Sequence, residues 1–130
     1  MSSIFTKIIQ GEVPCHKVYE DDSFFAFLDI HPIRPGHVLV VPKQEIDRFF
    51  DLDDELLSGI VLVSKKISRA IEEVVPCDRV GVAVAGLEVP HAHVHLIPIN
   101  EVADLDFAKA KPASSEELEE MAGKIMAAIG

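Results

Sequence analysis

The chain has 130 residues, 48% of them hydrophobic, which suits one domain over residues 1–130 with a core of ordinary size. Twenty-two acidic against twelve basic side chains leave a formal net charge of −10, which argues against nucleic acid as a partner, since phosphate backbones are held by basic patches. The first residues lack a charged segment followed by an apolar run, and no run approaches the roughly 20 residues of a membrane span, so a cytoplasmic location without membrane contact is expected.

In chain order, Ile4 to Gln10 reads as a short helix stopped by Gly11 and Pro14. Strands are predicted at Lys17 to Glu20, Phe24 to Asp29 and His37 to Val41, separated by the Asp21-Asp22 turn and the Pro32 to Gly36 turn. Asp53 is placed to cap a helix running to about Val75. Its stripe of Leu56, Leu57, Ile60, Val61, Ser64, Ile67, Ala70, Ile71 and Val74 has helical spacing, and Pro76 ends it. Arg79 to Val84 and His93 to Ile97 are two further strands, and Glu101 to Pro112 reads as a loop. Ser114 to Glu117 forms a capping-box pattern opening a last helix, with Leu118, Met121, Ala122, Ile125 and Ile129 on one face. This order predicts an α+β fold with an antiparallel sheet and helices on one face. Cys15 and Cys77 lack Cys-x-x-Cys spacing, imply no disulfide framework and suit a reducing compartment.

The chemistry concentrates in His91-Ala-His93-Val-His95-Leu-Ile-Pro98. Alternation at i, i+2 and i+4 has the period of a strand, which puts three imidazoles on one face and Ala92, Val94 and Leu96 on the other. At roughly 3.3 Å per residue His91 and His95 would stand about 13 Å apart at the backbone, too far for all three to hold one ion at about 2 Å. Two of them with His37 as a third ligand remain a metal alternative, and a merely polar strand face is another. The favoured reading is nucleophilic: a neutral His93, held through its N–H, presents its other nitrogen to phosphorus, and the flanking rings donate protons.

These residues resemble the His-x-His-x-His signature of the histidine triad (HIT) family. The resemblance extends to Ile4-Phe5-Thr6-Lys7-Ile8-Ile9, Gly11-Glu-Val-Pro14, Tyr19-Glu-Asp-Asp22, Phe27-Leu-Asp-Ile30 and Pro35-Gly-His-Val-Leu-Val-Val-Pro-Lys43, covering about residues 4 to 99. It implies a five-stranded antiparallel sheet with a long central helix and a C-terminal helix, a homodimer, and a small-molecule nucleotide as partner with no cofactor. It implies further that His93 attacks an α-phosphorus to give a nucleotidyl-histidine, as in a nucleotide hydrolase or nucleotidyl transferase acting on purine nucleoside phosphoramidates or dinucleoside polyphosphates. His91, His95 and His37 would orient His93 and handle protons, Asp29 would hold ribose hydroxyls, and Phe5, Ile8, Phe27 and Ile30 would wall the base. Read without the family, those four apolar residues are equally plausible as core.

The chain also departs from the pattern. Many relatives carry an Asn before the triad and a Gly-Gln pair that touch phosphate, whereas Ala85-Gly86-Leu87-Glu88 has neither, in a shortened loop. Backbone N–H groups near Gly86 and Glu88 are expected to replace those contacts, with Leu87 as packing; the alternative is a nucleotide-binding regulatory module with weak turnover. Zinc-binding relatives place cysteines near the N-terminus, where Ser3 and Thr6 stand here, so no structural metal is expected.

Overall fold

The structure is a computed structural model in which residues 2–130 are described. Strands β1 (Lys17–Glu20), β2 (Phe24–Leu28), β3 (Val38–Pro42), β4 (Arg79–Ala83) and β5 (Val94–Ile99) form one antiparallel sheet in the order β1-β2-β3-β5-β4. The Asp21 carboxylate accepts the N–H groups of Ser23 and Phe24 and so closes the β1–β2 turn. Helix α1 (Ile4–Ile9) begins where the Ser3 hydroxyl accepts the Thr6 N–H at 3.1 Å, and Gly11, at φ 81°, carries the chain off it.

The two long helices start on the side chains the sequence singles out. Asp53 accepts the Leu56 N–H at 2.8 Å and opens α2 (Asp54–Val74), and Ser114 accepts the Glu117 N–H at 3.1 Å and opens α3 (Ser115–Ile129). Within α2 the buried stripe is Ile60, Ser64, Ile67, Ala70 and Ile71. Val61, expected to face inward, is 58% exposed; at 100° per residue it lies at the flank of that stripe, beside the exposed Leu62. No helix among the described residues is long and apolar enough to cross a membrane.

Alternation splits the strands between two cores. Ala26, Leu28, Val38, Val40, Val94 and Leu96 point to the back face and pack with residues of α2 and α3, among them Ile60, Ile67, Ile71, Leu118 and Ile125. Phe25, Phe27, Leu39 and Val41 point forward and pack with Phe5 of α1.

Two predicted boundaries shift with consequences for function. Strand β5 opens only at Val94, so of the three histidines only His95 belongs to the ladder, where it sits opposite Leu39. The next partners on β3 would be Val41 and Pro42, and Pro42 has no N–H to offer a ladder. The backbone of the preceding segment is instead satisfied outside the sheet, with the His91 N–H donating to the Val89 carbonyl and the Ala92 N–H to the Ile46 carbonyl. The segment expected as a loop, Glu101 to Pro112, contains two short 3-10 turns, Val102–Leu105 and Phe107–Lys109. Asp104 organises the first by accepting the N–H groups of Asn100 and Glu101 while its carboxylate pairs with Arg34 at 3.3 Å.

Candidate active site

His37, His91, His93 and His95 are all buried and meet on the front face, at the β3–β5 junction. His37 is delivered by a turn with little freedom: Gly36 has φ 95°, and a Cβ there would stand 2.9 Å from Val75 Cγ2, so both backbone and space require glycine. The His37 and His95 rings lie 5.2 Å apart between centroids, and those of His95 and His93 5.0 Å apart.

Groups that can only donate or only accept assign the ring protons in sequence. The Ile33 N–H donates to His37 Nδ1 at 3.1 Å, so His37 carries its proton on Nε2. That Nε2–H donates to His95 Nδ1 at 2.9 Å, which leaves the His95 proton on Nε2. Independently, His93 Nδ1 lies 2.7 Å from the His91 carbonyl, which can only accept, so His93 is protonated on Nδ1 and its Nε2 carries the lone pair. His91 donates from Nε2 to the Pro42 carbonyl at 2.8 Å and accepts the Ser3 hydroxyl on Nδ1 at 2.8 Å. Both nitrogens of His91 are therefore engaged in holding the fold, and its carbonyl is what orients His93.

The assignments of His37, His91 and His95 need neutral rings, and burial favours that form in all three. Desolvation, with the neighbouring His95 adding to it, holds His37 down at about 3; desolvation and the neighbouring His93 hold His95 at about 4. His91 is likewise lowered, chiefly by burial. Asp29 Oδ2 stands 3.7 Å from His37 Nε2, and because His37 is neutral this contact is no ion pair. Asp29 Oδ1 accepts the His31 N–H at 2.9 Å, and burial raises the carboxyl above its ordinary range.

The apolar residues expected around a base divide. Phe5 is buried with its ring edge-on to His93 at 5.0 Å and to Phe27 at 5.5 Å, and Ile8 packs against the same cluster, so these three belong to the front core and Phe5 alone of them also touches the triad. Ile30 is 55% exposed and belongs to neither core; its carbonyl accepts the Ala113 N–H. Gly86 has φ 73° and opens an outward turn in which Glu88 is exposed, and Leu87, expected to pack, is 93% exposed. Two residues outside the predicted set bear on the histidines, one directly and one through Ser3 and Thr6. Phe107 sets its ring against His95 at 4.8 Å, out of a segment with no periodic signal, and Glu45 joins the hydrogen bonds around Ser3 and His91.

Metal fits poorly at either candidate set. Asp29, His37 and His95 bring ligand atoms within 4.8 Å of one another, but only one belongs to the triad. Coordination through His37 Nε2 would move its proton to Nδ1, against the Ile33 N–H. Near the N-terminus Ser3 and Thr6 offer hydroxyls rather than the thiolates that zinc favours, and these hydroxyls are already bonded to His91 and Glu45.

A HIT domain model matches residues 10–102, and the chain belongs to the HIT family. It is 37% identical to an adenosine 5′-monophosphoramidase of Schizosaccharomyces pombe, over 99% of each chain. Among solved structures it superposes on a HIT-like protein involved in cell-cycle regulation from Bartonella henselae with a TM-score of 0.86 and 36% identity, covering 98% of this chain and 96% of that one. A hypothetical histidine triad nucleotide-binding protein from Sulfolobus tokodaii matches with a TM-score of 0.84 and 31% identity, over 97% and 91%.

Proposed function

We propose that this protein is a nucleotide hydrolase or nucleotidyl transferase in which His93 Nε2 attacks the α-phosphorus of a nucleoside phosphoramidate. The observation that carries the proposal is the 2.7 Å bond from His93 Nδ1 to the His91 carbonyl, which presents an oriented lone pair beside the donor Nε2–H of His95. A nitrogen–phosphorus bond forms as the bond to the leaving group breaks, and the leaving amine takes a proton from the His95 side of the site. Water, losing its proton to the same relay, then releases the nucleoside monophosphate and restores neutral His93. The likeness to a monophosphoramidase over nearly the whole chain supports this substrate class ahead of dinucleoside polyphosphates. Asp29, desolvated yet acceptor-rich, binds the ribose diol. The edge strand β4 and the exposed Val61, Leu62 and Val82 provide the surface for a homodimer.

The test is incubation with adenosine phosphoramidate and, separately, a dinucleoside polyphosphate, with and without chelator, followed by a rapid denaturing quench and intact-mass spectrometry. A nucleotidyl adduct in the wild type that disappears in His93→Ala supports the proposal. Binding without turnover would favour the regulatory module suggested by the outward Leu87, and loss of activity with chelator would favour a metal. Asp29→Asn should weaken ribonucleotides by about tenfold, or about 1.4 kcal/mol, and leave 2′-deoxyribonucleotides nearly unchanged; equal losses remove Asp29 from the ribose.

A further inference from the structure

The hydrogen bonds that hold His91 do not end at Ser3. Glu45, on the connection between β3 and α2, accepts on one oxygen both the Ser3 N–H at 2.7 Å and the Thr6 hydroxyl at 2.6 Å. These two donors, the Ser3 N–H first, hold its carboxyl below the ordinary range, so it is an anion wherever the protein works. Thr6 Oγ1 also lies 3.4 Å from His91 Nδ1, a longer and competing contact. The Pro42 carbonyl fixes the His91 proton on Nε2; with the Thr6 proton engaged by Glu45, the donor to His91 Nδ1 is the Ser3 hydroxyl, 2.8 Å from it and 3.3 Å from Thr6 Oγ1. The same carboxylate ties down the first turn of α1, the helix that sets Phe5 against His93.

We propose that Glu45 is a positioning residue for His93, acting through Ser3 and Thr6 on both supports of that ring: the His91 carbonyl and the Phe5 edge. The inference rests on His93 being the nucleophile. Glu45 lies 42 residues from Ser3 and 46 residues from His91 along the chain, is exposed, and touches none of the reacting groups, so a local reading of the sequence does not find it. A buried ring held at one nitrogen by one carbonyl is sensitive to displacement of that carbonyl, because in-line attack tolerates little angular error.

The experiment compares Glu45→Ala and Glu45→Gln in the full chain. Steady-state kinetics on adenosine phosphoramidate are read together with long-range 1H–15N spectra of the imidazoles, which report each ring's tautomer. Glu45→Ala should lower kcat about tenfold with KM within about twofold, since the lost interaction orients a group rather than binding substrate. Glu45→Gln, which keeps an acceptor oxygen, should recover most of the rate. In the spectra, wild-type His93 is a single Nδ1–H tautomer, and Glu45→Ala gives a mixture. An unchanged His93 spectrum in Glu45→Ala overturns the proposal whatever the rate, as does a glutamine variant as slow as the alanine one. Should the wild type turn over no nucleotide, the hydrolase reading falls, while the spectra still decide the part played by Glu45.

Discussion

The two faces of the sheet are made by the same strands and solve opposite problems. On the back, valine, leucine and isoleucine side chains meet two long helices, and cohesion comes from area removed from water, which is non-directional and tolerates many shapes. On the front, one short helix and several loops cover a layer in which phenylalanines stand beside four buried histidines. His37 and His91 are bonded at both ring nitrogens and His93 and His95 at Nδ1, and this face is stable only where such directional bonds satisfy the buried nitrogens. The back holds the sheet together at ordinary cost. The front concentrates buried rings fixed by directional bonds, with His93 held at Nδ1 alone, and the proposed site follows from the way its polar groups are satisfied.

Breaking the front should therefore remove chemistry and leave the fold. His93→Ala is expected to reduce kcat/KM by about a thousandfold or more, with nucleotide affinity within about tenfold and stability lowered by about 1 kcal/mol. Retention of more than a few per cent of the wild-type rate would remove His93 as nucleophile. Breaking the back should do the reverse. Ile67, fully buried against the sheet, should cost about 2–5 kcal/mol as Ile67→Ala in urea unfolding, while the surviving folded fraction keeps its kcat; a large fall in kcat at equal folded fraction would show that the two faces are not separable.

Acid sharpens the contrast, because the front face buries imidazoles whose proton affinity folding lowers, and the back face buries none. His37 and His95 bind protons at about 3 and about 4 in the folded chain and near 6.5 when unfolded. The unfolded state thus takes up protons first, so stability is fully present above about pH 6.5 and falls as pH drops below it. Between about pH 6 and 5 each ring removes on the order of 1 kcal/mol per pH unit, and denaturant midpoints at pH 7, 6 and 5 measure it. Half that slope would mean that one of the two rings binds its proton as readily folded as unfolded, and a flat profile that both do. Asp29, raised by burial, acts the other way and only at lower pH. The smallest effect lies on the back, where Ser64 Oγ is buried without a hydrogen-bond partner. Ser64→Ala should stabilise by about 0.5–1 kcal/mol, since it deletes an unsatisfied group and improves helix propensity.

Much of this arrangement was legible in the chain itself. Continuous apolar runs through Phe24-Phe-Ala-Phe-Leu28 and Val38-Leu-Val-Val41, bounded by turn residues, mark strands buried on both faces, and Asp53 and Ser114 mark helix starts because capping depends on neighbours three residues away. The histidine cluster and its likeness to the HIT family were equally visible, as was the need for a held His93. Alternation carried the strand pattern of the triad back to His91 and the expected strand to His93, whereas the ladder starts at Val94, because where a ladder stops depends on its partner, here Pro42, and not on its own pattern.

Only the tertiary structure decided which nitrogen of each ring is protonated. The deciding groups are the Ile33 N–H, the Pro42 carbonyl and the Ser3 hydroxyl, and Pro42 and Ser3 lie 49 and 88 residues from the His91 they control. Phe107 against His95 and Glu45 beneath Ser3 come from segments with no periodic signal, and Ile30, Val61 and Leu87 turned outward although their side chains favour burial. Hydrophobic periodicity is a local property with a fixed period, so the chain declares it. A proton's place on an imidazole is set by a donor or acceptor that folding brings from elsewhere, and no spacing in the sequence encodes it.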